Sequence, residues 1–150
     1  MNSIQIEKIL EGDQYSRKYF KGVFALDEVP LQGKKIKNSI FVINSETKNG
    51  PGEHWIAVFF DKNSNCEFFD SLGFDPKFYS LDFLLKKSSN TLTINRFAVQ
   101  SIFSEFCGLY TICFILIRCR KISFNKFLEY FDVDCIKNDL KINNLIKNFI

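Results

Sequence analysis

The sequence predicts an α+β fold, with a small, mainly antiparallel central sheet, a buried helix and flanking helices packed against it. Three observations predict it. Runs of β-branched and aromatic residues at 39–44, 54–60 and 66–71 cluster in the first half of the chain. A run at 107–118 is apolar on every side, the pattern of a helix enclosed by other elements. Helical patterns with capping residues stand at both ends.

The elements follow in order. Asn2 or Ser3 caps a short helix through Leu10. Residues 20–24 read as a short extended segment, and Pro30 punctuates the loop after it. The run 39–44 is a strand, and 48–52 a turn by its Gly and Pro content. Residues 54–60 and 66–71 form a hairpin around the loop 61–65. Both hairpin faces are apolar, so it belongs inside the sheet. Residues 80–87 suit a short helix, with Leu81, Leu84 and Leu85 on one side, and 91–99 a fourth strand. After the buried helix, Ser123 caps a helix through Phe131. The tail 133–150 is amphipathic, with Ile136, Leu140, Leu145, Ile146 and Phe149 as its apolar members, and is expected to pack on the sheet.

Composition narrows the function classes. A length of 150 residues suits one domain, residues 1–150. A hydrophobic content of 46% with 18 Phe argues against disorder. The longest apolar stretch falls well short of the roughly 20 residues that span a bilayer. The segment 1–10 carries Glu7 and lacks the apolar core of a signal peptide, so a soluble, non-secreted protein is expected. Five Cys, one His and no Cys-x-x-Cys pair leave no basis for a structural zinc site. A net charge of +3 is too small to argue for nucleic acid.

The chemistry-bearing residues come in a telling order. His54 lies in Gly52-Glu53-His54-Trp55, Asp70 in Phe69-Asp70-Ser71-Leu72-Gly73, and Gln100 precedes Cys107-Gly108-Leu109-Tyr110 by a short loop. These supply a base, an acid to orient it, an amide donor and a thiol. Singly, each has an ordinary structural reading. The thiol could be a packing residue, as Cys66, Cys113, Cys119 and Cys135 are expected to be. As a set they are the parts of thiol-based acyl transfer. Cys107 opens the buried helix, where the macrodipole and backbone N–H groups favour a thiolate. If Phe60 pairs with Cys66, then His54 and Asp70 fall on one face as a diagonal pair, about 7–8 Å apart at Cβ. A one-residue slip would separate them.

The order His, acid, Gln, Cys, with His-Trp on a strand and Gln-x6-Cys-Gly-Leu at a helix start, resembles the adenain-like cysteine proteases of adenoviruses, other DNA viruses and Polinton-type elements. Phe20-Lys21-Gly22-Val23-Phe24 is similar to that family's Phe-x-Gly-x-Phe, and the resemblance runs from Phe20 to Ile115. It implies the papain-like fold of adenain and the ubiquitin-like-modifier proteases, and cleavage near glycine of polypeptide precursors such as virion and capsid proteins. By this resemblance Cys107 is the nucleophile, His54 the general base and acid, Asp70 the orienting acid where adenovirus enzymes use a Glu, and Gln100 the oxyanion donor. Trp55 roofs a narrow substrate channel, with Gly52, Glu53 and Gly108 beside it, and Asn44 stands where the family has a polar residue near the substrate.

No metal or cofactor is needed for this chemistry. The resemblance implies an activating peptide or DNA as partners, and the virion and host-cell interior, nucleus or cytoplasm, as location. No Cys stands between Ser71 and Phe106, where the family's activating peptide forms its disulfide. Three rival readings stay open: a protease for ubiquitin-like modifiers, which shares the residue order and favours Asp as the acid; an acetyltransferase on the same scaffold; and an inactive binding module.

Overall fold

A five-stranded mixed sheet forms the centre of the computed structural model, which describes residues 1–50 and 54–150. Its strands are β1 (Phe20–Ala25), β2 (Ser39–Asn44), β3 (Trp55–Phe60), β4 (Asn65–Phe69) and β5 (Thr91–Ile94), side by side in chain order. The inner pairs β2–β3 and β3–β4 are antiparallel; β1 and β5 add to the flanks in parallel. A parallel neighbour needs a crossover, which helix α2 (Asp82–Ser88) provides between β4 and β5. The α+β class is as expected, with parallel outer pairs on an antiparallel centre.

Alternation of side chains along the strands divides the core in two. Ile40, Val42, Trp55, Ala57 and Phe69 face the helical layer; Phe41, Ile43, Ile56, Val58, Phe60 and Phe68 face the opposite side, under Leu81 and Leu85 of the α2 region. The helical layer comprises α1 (Ser3–Gly12), α3 (Cys107–Cys119), α4 (Phe124–Glu129) and α5 (Cys135–Ile146). Helix α1 begins with a capping box between Asn2 and Gln5 and buries Ile6 and Leu10, one turn apart. Helix α3 lies against β3 and is enclosed by the other helices, which explains its apolar circumference. It ends where Lys121 takes a left-handed conformation (φ 64°), with Lys121 N–H donating to Arg118 C=O and Ile122 N–H to Ile117 C=O. Phe69 stacks on Phe114 at 4.9 Å, and Phe127 meets Phe69 edge-on at 5.3 Å, joining α3 and α4 to β4.

Three expectations need correction. Strand β4 stops at Phe69 because Asn95 takes the next residue out of the ladder: its Oδ1 accepts the Asp70 N–H and its Nδ2 donates to the Asp70 C=O. Strand β5 stops at Ile94 rather than 99, since Val99 and Gln100 turn back to donate their N–H groups to the Ser71 C=O. The tail helix α5 lies on α3 rather than on the sheet; it buries Ile142 and Ile146 with the polar Asn138 and Asp139, while Ile136 and Leu140 face outward. Asn138 and Asp139 are buried because each has partners, Val99 C=O and Asp132 C=O for the first and the Tyr110 hydroxyl for the second.

Candidate active site

The register Phe60↔Cys66 and Val58↔Phe68 puts the residues just beyond the ladder, His54 and Asp70, on a common face. His54 Nε2 and Asp70 Oδ1 are 2.7 Å apart. Asp70 is fully buried, and both its oxygens are satisfied: Oδ1 also accepts the Leu72 N–H at 2.8 Å, and Oδ2 accepts the Tyr79 hydroxyl at 2.6 Å. With both carboxylate oxygens and its backbone N–H and C=O hydrogen-bonded, Asp70 is a rigid reference for the imidazole. Tyr79 and Asn95 play no part in the sequence reading: Tyr79 reaches Asp70 from the helical turn Pro76–Tyr79, and Asn95 only after the chain returns to the sheet as β5.

Cys107 is the first residue of α3, and Phe106 ahead of it offers no side-chain cap. The first-turn N–H groups therefore lack internal partners. Burial alone would push the Cys107 thiol up, but hydrogen bonding and charge from His54, with the backbone N–H groups of Trp55 and Gly108, hold it below its ordinary value. Burial would lower His54, yet Asp70 and Cys107 hold its pKa up at about 9. With Nε2 on Asp70, the imidazole leaves Nδ1 for the sulfur. Burial has the opposite outcome at the other thiols: Cys113 and Cys119 are pushed up to about 12, and Cys66 and Cys135 are also raised. Cys107 is the one thiol of the five with its charged form favoured, which is the signature of a reactive cysteine.

His54, Gln100 and Cys107 open together into a cleft of about 580 Å³, with Trp55, Leu72 and Glu105 on its walls. Gln100 Oε1 accepts the Ser71 hydroxyl at 2.6 Å, and Nε2 donates to the Ser104 C=O at 2.9 Å. A carbonyl only accepts, so Ser104 fixes which end of the amide carries the N–H groups. One Nε2 hydrogen is engaged there and the second has no protein partner among the described residues.

Trp55 donates its indole N–H to the Met1 C=O at 3.0 Å. A Cβ placed on Gly108 would lie 3.1 Å from Met1 Cβ and 3.4 Å from Trp55 Cδ1, so this wall of the cleft is closely packed. Met1 is an unexpected member of it. Asn44 lies apart from the cleft, in a smaller pocket of about 260 Å³ that it shares with Trp55, with its Oδ1 accepting the Glu46 N–H. Gly52 and Glu53 lie outside the described residues. Among the described residues no three His, Cys, Asp or Glu side chains gather as metal ligands would, and no helix is long and apolar enough to cross a membrane.

The model of the family described as adenovirus endoprotease matches residues 20–138. This chain belongs to the adenovirus endoprotease family. Cysteine protease S273R of African swine fever virus is 27% identical over 114 residues, covering 66% of this chain and 42% of the relative; another isolate's copy, named SUMO-1 cysteine protease S273R, is 26% identical over the same shares. A protease of Bovine adenovirus C serotype 10 is 34% identical over 95 residues, 54% of this chain and 48% of the relative. The crystal structure of the ASFV pS273R protease superposes with a TM-score of 0.56 at 16% identity, covering 94% of this chain and 65% of that one, which establishes the shared fold. The chain spans less than half the length of the curated relatives it matches. The stretch matched to the adenovirus endoprotease family contains His54, Gln100 and Cys107 of the cleft and Tyr110 behind it, while the cleft-wall residue Met1 lies before it.

Proposed function

We propose that this chain is a cysteine endopeptidase that cleaves viral polypeptide precursors, virion and capsid proteins among them, next to glycine. The observation that carries the reading is the meeting of an acidified thiol, an anchored imidazole and a tethered amide donor in one cleft. Cys107 and His54 form a thiolate–imidazolium pair, with Asp70 fixing the ring's tautomer and orientation. The thiolate attacks the scissile carbonyl. The remaining Gln100 N–H and the Cys107 backbone N–H receive the oxyanion. His54 protonates the leaving amine, leaving a thioester, and then activates the water that hydrolyses it. The close packing of Met1, Trp55 and Gly108 beside the thiol supports a preference for small residues at the cut. Such precursors place the work in the virion and the host-cell interior.

The test is a diverse peptide library, incubated with the protein alone, with DNA and with candidate activating peptides, with cut sites mapped by mass spectrometry. Cuts beside glycine that vanish in Cys107→Ala are expected. Absence of Cys107-dependent cuts under every condition would sink this reading.

A second reading, removal of a ubiquitin-like modifier, draws support from the SUMO-1 protease name carried by a swine fever relative and from Asp as the orienting acid. A modifier-fused reporter, cut while free peptides are spared, would favour it.

A further inference from the structure

We propose that Ser71 is the positioning residue of the oxyanion hole, and that the Asp70-Ser71 pair sets base and oxyanion donor from a single point on the chain. The proposal rests on the reading of Gln100 as the oxyanion donor.

Ser71 is fully buried and holds Gln100 twice. Its C=O accepts the Val99 N–H at 2.9 Å and the Gln100 N–H at 3.0 Å, fixing the backbone from which the amide springs. Its hydroxyl donates to Gln100 Oε1 at 2.6 Å, fixing the tip. The residue before it, Asp70, holds His54 at 2.7 Å. An amide is planar. With Oε1 tethered by Ser71 and one Nε2 hydrogen tethered by Ser104, the direction of the other N–H is determined. The last side-chain torsion of a glutamine is otherwise broad, and a donor left to wander is not preorganised for the transition state. The serine hydroxyl also polarises the amide it donates to, strengthening the N–H at the far end. Because Ser71 adjoins Asp70, any movement of this turn shifts imidazole and amide together, which keeps their separation constant.

The test compares wild type, Ser71→Ala, Gln100→Ala and the double variant on two readouts. One is hydrolysis of a Gly-Gly peptidyl aminocoumarin; the other is alkylation of Cys107 by iodoacetamide, which forms no oxyanion. Ser71→Ala should lower kcat roughly tenfold, part of the ~10²–10³ that loss of a whole donor costs. KM and the pH profile of alkylation should stay as in wild type. In the Gln100→Ala background the second substitution should cost almost nothing more, since the two act as a unit. Ser71→Cys, close in volume but a weak donor, keeps the packing and should show the same fall even if Ser71→Ala fails to fold. Undiminished kcat in Ser71→Cys, or additive losses in the double variant, would overturn the proposal. A wild-type chain with an alkylatable Cys107 that hydrolyses neither this amide nor any library peptide would instead bring down the protease reading, and the Ser71 assignment with it.

Discussion

His54 and Asp70, sixteen residues apart in the chain, meet at 2.7 Å because the loop between β3 and β4 sets a register that puts both on one face. The contact is buried and continues through Tyr79 on one side of the carboxylate and Cys107 on the far side of the ring.

That linkage predicts a pH signature. The His54 pKa is raised from 6.5 to about 9, so the imidazolium's contribution to stability is complete below 6.5 and is lost as pH rises through about 9. Cys107 is lowered, so the ion pair spans the window from its depressed value up to about 9. Asp70→Asn removes the main support of the imidazolium; the His54 pKa should fall, and the alkylation profile of Cys107 should move to higher pH. His54 is the only histidine, so one NMR resonance reports its titration without assignment. A midpoint unchanged in Asp70→Asn would contradict the linkage.

Cys107→Ala should abolish peptide cleavage, and His54→Ala should lower kcat/KM by more than about 10³-fold, within the range for loss of a general base. Asp70→Asn should be milder than either, because it disturbs orientation rather than removing a reacting group. Steady-state kinetics on one peptide ranks the three; full activity in Cys107→Ala or His54→Ala is incompatible with the mechanism.

Tyr79→Phe deletes one hydroxyl and leaves Asp70 Oδ2 buried without its donor. Loss of about 1–3 kcal/mol of stability is expected, with a severalfold fall in kcat as the carboxylate gains freedom to turn. Urea unfolding and kinetics on the same preparation measure both effects; unchanged stability and kcat would show that the hydroxyl does not hold the carboxylate.

Phe114 is fully buried between Phe69, Phe124 and Phe127. Phe114→Ala should destabilise the fold by about 3–5 kcal/mol, as such cavities do. Urea denaturation at fixed m-value reads this directly; a loss under 1 kcal/mol would mean that the helical layer can close over the void.

Much of this site is legible in the sequence because it depends on short-range rules. Asp61 opens the hairpin and its Oδ1 accepts the Asn63 and Asn65 N–H groups, so the loop is local and the register that joins His54 to Asp70 follows from it. Cys107 at a helix start and Gln100 a short loop before it are separations along one segment. The supports are different in kind. Tyr79, Asn95 and Ser71 reach the machinery across the fold, and Met1 meets Trp55 across 54 residues, so no periodicity or spacing marks them.

The sequence by itself determined the α+β class, the apolar central helix, the hairpin register and the candidates His54, Gln100 and Cys107 that open into the cleft with Asp70 buried behind His54, since alternation, helical period and turn chemistry act between near neighbours. Only the tertiary structure decided where β4 and β5 release the chain, that α5 packs on α3, and how Asp70 and Gln100 are held still. Those outcomes depend on buried polar groups finding partners far away in the chain, and which partner is reached is settled only once the sheet and helices have closed around them.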